Sequence, residues 1–288
     1  MKSPTVRHTA TAAALLLLCL FPAGRARANP HELPFTYPYM TLQQGQFEFE
    51  QSVDITPIPI VDDANKLPNG FGARTTLTSE LEFGITDGLE ASLYLVLGNI
   101  DQQPGMYQFY RYAGIKERLR YRLFDPGVLP VDISFYLEAE EYQNVFELEW
   151  KVNFERRLGP FRLLLNLWAA HEFYHHQSDP AESPGQANRQ EWEINPTGGV
   201  ACSISPNVSV GVEDWLHTEF GATGFASHGQ PFLITPVYNY VGPTAMFQTG
   251  PFWISAAFYT RVTQLGTDVR QDDTFGRFWF RTMVGINL

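Results

Sequence analysis

FWFRTMVGINL, residues Phe278–Leu288, ends the chain, and its side chains alternate in polarity at every second position. One face is apolar, interrupted only by Thr282, and consists of Phe278, Phe280, Val284, Ile286 and Leu288. The other face, counted from the residue before this stretch, carries Arg277, Trp279, Arg281 and Asn287. A period of two residues predicts a β-strand with one apolar face. A strand of this kind that ends with the chain is typical of β-barrels in bacterial outer membranes.

The same alternation recurs in eleven earlier runs, which gives twelve in total. In one of them, Val131, Ile133, Phe135 and Leu137 alternate with Asp132, Ser134, Tyr136 and Glu138. Clusters of Gly, Pro, Asn and Asp separate the runs, as at Asp125-Pro126-Gly127. Because such clusters favour turns, the runs are predicted to be consecutive antiparallel strands.

The connections between the runs alternate in length. Those after even-numbered runs are short, such as 86–88 and 157–160, whereas those after odd-numbered runs are mostly long, such as 173–190 and 264–276. Outer-membrane barrels combine short periplasmic turns with long outer loops. A soluble β-sandwich has no reason to alternate its loops, and its strands are shorter. The sequence therefore predicts an all-β fold, a transmembrane antiparallel up-and-down β-barrel of about twelve strands.

The first 28 residues have the layout of a signal peptide. Lys2 and Arg7 supply positive charge, Ala12–Phe21 is apolar but too short to cross a bilayer, and Ala26-Arg27-Ala28 fits a cleavage site. We therefore divide the chain into a signal peptide (1–28), a periplasmic N-terminal segment (29–44) and the outer-membrane β-barrel (45–288). The expected location is the outer membrane of a Gram-negative bacterium.

Composition narrows the possible functions. Without the leader, 260 residues carry 16 basic and 31 acidic side chains, a net charge of −15. This acidic balance argues against binding nucleic acid, which needs a basic face. The remaining Cys202 excludes an internal disulfide. The expected partners are outer-membrane lipid and lipopolysaccharide, with the barrel-assembly machinery during biogenesis. The sequence leaves the oligomeric state open and indicates no cofactor.

The charged side chains are predicted to face the lumen, because the apolar side chains face lipid. The fourth run offers a basic column, and its neighbours offer acidic ones. This lumen charge ladder consists of Lys116, Arg118, Arg120, Arg122, Glu90, Asp132, Glu138, Glu140, Glu147 and Glu149. Hairpin geometry predicts Arg122 opposite Asp132 and Lys116 opposite Glu138, to within a slip of two residues. The pairs either fill the lumen and fix the register or form a charged constriction that selects solutes.

Three functions are open to such a barrel. The first is a narrow pore or passive transporter for small solutes, with a preference for cations that follows from the excess of inward carboxylates. The second is a non-conducting structural or adhesive barrel whose lumen is closed by salt bridges. The third is a lipid-directed hydrolase, although the pattern as a whole favours a protein that is not an enzyme.

One histidine-rich stretch, His171–Asp179, follows the seventh run. The candidate metal ligands are His171, His175, His176 and His217, since imidazole suits zinc and other transition ions. The hydrolase hypothesis rests on His176-Gln177-Ser178, which resembles the His-x-Ser element of outer-membrane phospholipase A. The Asn-Gly expected after that serine is replaced by Asp179-Pro180. A solvated polar loop is the simpler interpretation, so we predict neither a catalytic nor a metal site here.

The N-terminal part also carries a motif. A Gly-x-x-Glu-x-Glu strand at Gly45–Glu50 is followed by Glu80-Leu81-Glu82-Phe83-Gly84-Ile85-Thr86-Asp87, which opens a hairpin. This combination resembles a family of bacterial outer-membrane β-barrel proteins of unknown function. Similar hairpins occur in proteins loosely grouped as outer-membrane proteins of aromatic-degradation pathways. The resemblance implies the fold and the location, and it implies no catalytic residues.

Overall fold

The structure is a computed structural model that describes residues 29–62, 67–98, 110–142, 145–174, 190–221, 232–233, 237–263 and 276–288. The predicted signal peptide lies outside these ranges, as do large parts of the predicted long connections. Within the ranges, no helix has the combination of length and hydropathy that crossing a bilayer requires.

Twelve strands run through the described residues, and we number them in chain order. The first six are β1 (Phe47–Asp62), β2 (Leu67–Thr86), β3 (Leu89–Gly98), β4 (Arg111–Arg122), β5 (Asp132–Tyr142) and β6 (Val145–Leu158). The next four are β7 (Phe161–Tyr174), β8 (Gln190–Ile194 and Thr197–Ser205), β9 (Val208–His217 and Glu219–Gly221) and β10 (Phe232–Leu233 and Tyr238–Thr249). The last two are β11 (Phe252–Arg261) and β12 (Phe278–Asn287). Strand β8 is divided at Pro196, because proline has no N–H to donate to a neighbouring strand.

Each strand pairs antiparallel with the next, and the first pairs with the last. At this closing seam Phe49 lies opposite Ile286, and the Leu288 N–H donates to the Phe47 carbonyl at 2.9 Å. The described strands thus close into a cylinder, which is what hydrocarbon surroundings demand of a backbone. Even the 10-residue strands β3, β11 and β12 are long enough to cross at a tilt. The predicted twelve-stranded barrel is therefore confirmed.

The polarity of the barrel is the reverse of that of a soluble protein. Leu93 is 60 % exposed and Val212 is 55 % exposed on the outer surface, whereas the inward-facing Glu90 and Arg120 are 0 % exposed. An apolar outer surface over a charged interior fits a protein surrounded by lipid rather than water. The predicted alternation of C-terminal side chains is also observed, with Phe280 and Ile286 outward and Met283 and Asn287 inward.

The N-terminal segment departs from the prediction. Residues 29–44 were predicted to form a separate periplasmic segment, whereas the structure places residues 29–42 inside the barrel and leaves Gln43, Gln44 and Gly45 exposed at its turn end. Leu33 and Thr36 are 0 % exposed, and Tyr39 is 2 % exposed. The segment belongs to no strand, so its backbone N–H groups need other acceptors, and inward carboxylates and amides provide them. We call residues 29–46 the N-terminal plug.

From the sequence alone, Trp150 and Trp279 are predicted to lie in the membrane-interface belt, but the structure places them on opposite sides of the barrel wall. Trp150 is on the outer surface, packed edge-to-face against Trp192 at 6.0 Å. Trp279 faces the lumen, where its indole N–H donates to Asp54 at 2.8 Å and its ring packs against Phe35 of the N-terminal plug. The belt assignment is therefore wrong for Trp279, whose position in the strand alternation already placed it on the inward face.

Candidate functional site: the charged lumen and its plug

Two cavities occupy the lumen, one on each side of the N-terminal plug. The loop-side cavity has a volume of about 280 Å³, and the plug contributes Pro34, Phe35 and Tyr37 to its lining. The turn-side cavity, about 1130 Å³, is bordered by the short connections and by a different part of the plug, including Asn29 and Tyr39. The described residues that line one cavity do not line the other. The plug therefore lies between two spaces in the same barrel that are large enough to hold water.

Side chains from several strands hold the plug in place. Glu213 of β9 accepts hydrogen bonds from the Phe35 N–H at 3.0 Å and from the Thr36 hydroxyl at 2.7 Å. Glu90 of β3 accepts one from the Leu42 N–H at 2.7 Å. The N–H and O–H groups of the plug would otherwise need water as a hydrogen-bond partner, because no described strand pairs with this part of the segment. The carboxylates accept these hydrogen bonds instead. Charge-assisted bonds of this kind are stronger than neutral ones.

Asn166 of β7 pairs with the plug in the manner of a backbone amide. Its side-chain oxygen accepts from the Tyr37 N–H at 2.6 Å, and its side-chain nitrogen donates to the Tyr37 carbonyl at 3.0 Å. Its cross-strand neighbour Asn153 is equally buried but bonds to Ser134 in the barrel wall at 3.1 Å. The two neighbouring asparagines thus differ in their partners: Asn166 binds the plug, and Asn153 binds the barrel wall.

This contrast gives a testable expectation. Asn166→Ala removes two hydrogen bonds worth about 1 kcal/mol each. The fraction of barrels in which the plug is displaced should therefore rise at least roughly tenfold. Chymotrypsin, which cleaves after aromatic residues such as Phe35 and Tyr37, should then trim the N-terminus correspondingly faster, because cleavage follows the population of the open form. Mass spectrometry of the folded barrel measures this rate. Asn153→Ala is the matched control, and an equal acceleration in both variants would contradict the assignment.

Burial also sets the protonation of the plug's own titratable side chains. Desolvation lowers the pKa of His31 to about 3, because the charged imidazolium would be cut off from water. The same effect raises the pKa of Tyr39 to about 12, with the nearby Asp132 and Glu155 carboxylates acting in the same direction. Both side chains are therefore uncharged at pH 7.

The basic column of β4 lies in the lumen, and its two central members are fully buried. Arg118 contacts Glu80 at 3.0 Å, Glu90 at 2.6 Å and also Glu82, and Arg120 contacts Glu90 at 2.8 Å. The Tyr94 hydroxyl accepts a further bond from Arg118 at 2.8 Å. The acidic partners belong to β2 and β3, so these ion pairs tie three adjacent strands together.

A second group of charges lines the loop-side cavity. Lys116 contacts Glu138 at 3.4 Å and also Glu140. Lys151 contacts Glu149 at 2.6 Å. The Lys151 ammonium also lies 4.3 Å from the centre of the Tyr136 ring, and the rings of Tyr37 and Trp168 complete a cage at 4.7 and 4.5 Å. Such rings stabilise a cation that has lost part of its water.

The predicted register is displaced by two residues, which is the slip that the prediction allowed. Lys116 lies opposite Glu140, Arg118 opposite Glu138, and Arg122 opposite Ser134. The centre of the turn between β4 and β5 lies one residue later than predicted, and this moves every pair. As a result Arg122 and Asp132 do not meet. Arg122 pairs with Asp125 at 3.0 Å, and Asp132 accepts a hydrogen bond from the Gly127 N–H at 2.9 Å.

The remaining members of the predicted ladder also face inward. Glu147 lies opposite Glu140, and Glu149 lies opposite Glu138, on β6 and β5. Both belong to the lining of the loop-side cavity. Five members of the ladder thus line that cavity: Lys116, Glu138, Glu140, Glu147 and Glu149. Arg118, Arg120 and Glu90 lie deeper in the lumen. Arg122 and Asp132 lie near the turns.

The two histidine candidates that the structure describes, His171 and His217, do not come together. His171 stacks on Trp192 on the outer surface, with ring centres 3.8 Å apart, whereas His217 faces the lumen, 3.8 Å from Glu193. The barrel wall lies between them, so the two cannot share a metal ion. His175, His176 and Ser178 lie outside the described residues, and the hydrolase hypothesis that rests on them stays a prediction.

Sequence reasoning missed the contribution of the plug and of two acidic columns. Glu48, Glu50, Glu80 and Glu82 on β1 and β2 face inward, but the predicted ladder does not include them. Glu80 and Glu82 pair with Arg118 on β4, which is two strands away in the barrel. The excess of acidic over basic side chains along β1 and β2 was the available signal.

The barrel resembles solved outer-membrane proteins in its fold. The COG4313 outer membrane channel from Pseudomonas putida F1 is 12 % identical, with a TM-score of 0.54 over 87 % of this chain and 98 % of that chain. The NanC porin is 9 % identical, with a TM-score of 0.54 over 83 % of this chain and 100 % of the porin chain. No protein-family model matches the sequence, and no curated protein matches it. These likenesses show the fold, and together with the apolar outer surface they identify the chain as an outer-membrane β-barrel.

Proposed function

We propose that this protein is an outer-membrane channel for small solutes that is closed by its own N-terminal plug. The observation that carries the proposal is the presence of two cavities within one polar lumen, separated by a segment that belongs to no strand. A barrel whose interior served only as a structural core would have little reason to keep a charged space of this size on either side of a removable segment.

The plug can move without breaking the barrel. Its contacts with the wall are made mainly by side chains, such as Glu213, Asn166 and Glu90, while the strands pair with one another all the way round. The exception is its last part, where the Gly45 N–H donates to the Gly84 carbonyl at 2.9 Å. Gly45 has a φ of 78°, a backbone conformation that glycine adopts readily, and it marks the point about which the plug would swing.

The charges of the loop-side cavity support a preference for cations. Three fixed cations and one histidine face seven carboxylates there: Glu50, Glu80, Glu138, Glu140, Glu147, Glu149 and Glu193. The cations are Lys116, Lys151 and Arg281, and the histidine is His217. A ring of carboxylates around a narrow passage concentrates cations and excludes anions.

Planar-bilayer recording of the refolded full chain tests the proposal. We expect discrete conductance steps, with a reversal potential in a KCl gradient that favours potassium over chloride. Glu147→Gln should reduce this preference, because it removes a carboxylate that lines the loop-side cavity. Glu141→Gln is the matched control, since Glu141 lies on the exposed outer side of β5. Absence of steps above the lipid background at several salts and voltages would rule out a channel that opens unaided.

A structural barrel is the second candidate, and one observation favours it. Arg118 and Arg120 are fully buried among carboxylates and tie β2, β3 and β4 together, which is the duty expected of ion pairs that fill a lumen. The two candidates differ in what happens once the plug is gone, because a structural barrel would stay closed.

A further inference from the structure

Three carboxylates meet beneath the plug, close to the closing seam. Glu48 and Glu50 are two residues apart on β1 and therefore point to the same side, and Glu82 of β2 lies directly opposite Glu48. Oxygen atoms of the three lie within 4.8 Å of one another. All three side chains are buried, with exposed fractions of 0, 2 and 1 %. Three neighbouring carboxylates without water repel one another unless something positive or a proton lies between them.

His31 of the plug approaches this cluster next to Glu50. Its Nε2 lies 3.7 Å from Glu50 Oε1, and its side chain is 1 % exposed. Its ring stacks on Trp253 at 5.6 Å and meets Tyr37 edge-on at 5.0 Å, so the imidazole is held between two aromatic neighbours. The three carboxylates of the barrel wall thus form the cluster, and His31 brings one plug side chain up to it through Glu50.

Several atoms in this group have no hydrogen-bond partner among the described residues. They are both oxygens of Glu50, Oε2 of Glu82, and both ring nitrogens of His31. Buried polar atoms are nearly always paired, because leaving them unpaired is costly. Here the unpaired atoms belong to side chains that are almost fully buried and adjoin one another. The carboxylate oxygens and one nitrogen of the neutral imidazole carry free lone pairs, which is what a metal ion requires.

The formal charges around the cluster also favour binding of a cation, because carboxylates outnumber the basic side chains there. Five buried carboxylates, those of Glu48, Glu50, Glu80, Glu82 and Glu90, adjoin two guanidinium groups, Arg118 and Arg120. The two arginines engage Glu80, Glu82 and Glu90. Glu48 accepts hydrogen bonds from the Asn29 nitrogen at 3.2 Å, from the Trp253 indole and from the Asn287 amide at 3.4 Å. Cleavage of the predicted leader after Ala28 makes the Asn29 nitrogen a positively charged α-amino group. Glu50 is left without a positive partner at hydrogen-bonding distance.

We propose that Glu50, Glu82 and His31, with Glu48 beside them, bind a divalent transition-metal ion. One imidazole with carboxylates suits zinc and its first-row neighbours, whereas calcium and magnesium prefer sites made of oxygen alone. The ion supplies two positive charges where carboxylates are in excess, and it takes up the unpaired atoms. Because His31 belongs to the plug and the carboxylates to β1 and β2, the ion also fastens the plug to the wall. Metal binding does not depend on whether the barrel conducts.

A second carboxylate cluster serves as the internal comparison. Oxygen atoms of Glu138, Glu140 and Glu149 also lie within 4.8 Å of one another. Two ammonium groups already contact that cluster, since Lys116 lies 3.4 Å from Glu138 and Lys151 lies 2.6 Å from Glu149. It contains no histidine, and we expect it to leave zinc unbound.

The test uses the full chain folded in detergent, freed of metal with chelator and then titrated with Zn²⁺. We expect calorimetry and elemental analysis to find a zinc ion whose affinity falls at least about tenfold in Glu50→Gln and in His31→Ala. Glu149→Gln should bind zinc like the natural chain. Heat-modifiable mobility in gels confirms that each variant is folded. Zinc should also raise the melting temperature of the natural chain, because it binds the folded state, and this rise should be lost in Glu50→Gln.

Two results would overturn the proposal. The first is that the folded natural chain binds no zinc at this site and that zinc changes the melting temperature of neither the natural chain nor Glu50→Gln. If Glu50→Gln then also melts at a higher temperature than the natural chain, protons alone relieve the repulsion between the carboxylates. The other is zinc binding that both Glu50→Gln and His31→Ala leave unchanged, which would place the ion elsewhere, for example in the histidine-rich stretch. Neither result bears on the channel proposal, which is tested by conductance alone.

Discussion

Deletion of residues 29–42 is expected to raise the conductance of the barrel several-fold and to hold it open. The deletion removes the segment that lies between the cavities of about 280 and 1130 Å³, so the two spaces join. The carboxylates that held the plug, such as Glu213 and Glu90, then face water instead of a buried backbone. They lose partners without becoming stranded in an apolar site, so the barrel keeps most of its stability.

The deletion stops before Gly45 for a structural reason. Gly45 and Gln46 exchange backbone hydrogen bonds with Gly84 at 2.9 Å, and these bonds extend the pairing of β1 with β2. Bilayer recording of the shortened chain beside the full chain measures the effect, and the match of heat-modifiable mobility between the two verifies folding. If the shortened, folded barrel conducts no better than the full chain, the plug is not the closure, and the structural barrel becomes the better account.

Arg118→Met is expected to be the most destabilising single substitution in the lumen. Arg118 is buried against Glu80, Glu82 and Glu90, and removing it leaves these carboxylates crowded without their shared cation. Breaking a buried ion pair by removing one partner costs about 3–5 kcal/mol. Denaturant unfolding in detergent or lipid measures the change in the free energy of unfolding.

Two companion variants sharpen the interpretation of Arg118→Met. Lys116→Met should cost less, because the Lys116 side chain is 20 % exposed and water reaches it. Adding Glu82→Gln to Arg118→Met should recover part of the lost stability, since it removes one of the stranded charges, and the double variant measures this coupling. A cost for Arg118→Met no larger than that for Lys116→Met would mean that the arginine contributes packing rather than charge balance.

The barrel itself was predictable because its signal is local. The alternation within each strand, such as Phe278–Leu288, indicates which side chains meet lipid and which face the lumen. Closure of the barrel follows because every backbone N–H and C=O group in lipid must be paired. The register between β4 and β5 was predictable only to two residues. It depends on how residues 123–131 form the turn, and the strand pattern is compatible with more than one turn centre.

The plug was not predictable, because its partners are scattered. Residues 29–46 show no strand period, and the side chains that hold them come from Glu90, Asn166 and Glu213, far apart in sequence. Each of these looked like an ordinary inward polar residue. The association of His31 with Glu48, Glu50 and Glu82 was hidden for the same reason, since nothing in a local pattern shows which distant segment will enter the lumen.

The pairing of β1 with β12 has a consequence for assembly. It joins segments as distant in sequence as Phe49 and Ile286, so it is the contact with the greatest loop-closure entropy and forms late. The final zipping step therefore takes place beside the plug, which leads directly into β1. While the cylinder is still an open, curved ribbon, the leading segment can be laid onto its concave face rather than threaded in afterwards. In this order of assembly, the plug is already inside the barrel when β1 and β12 pair.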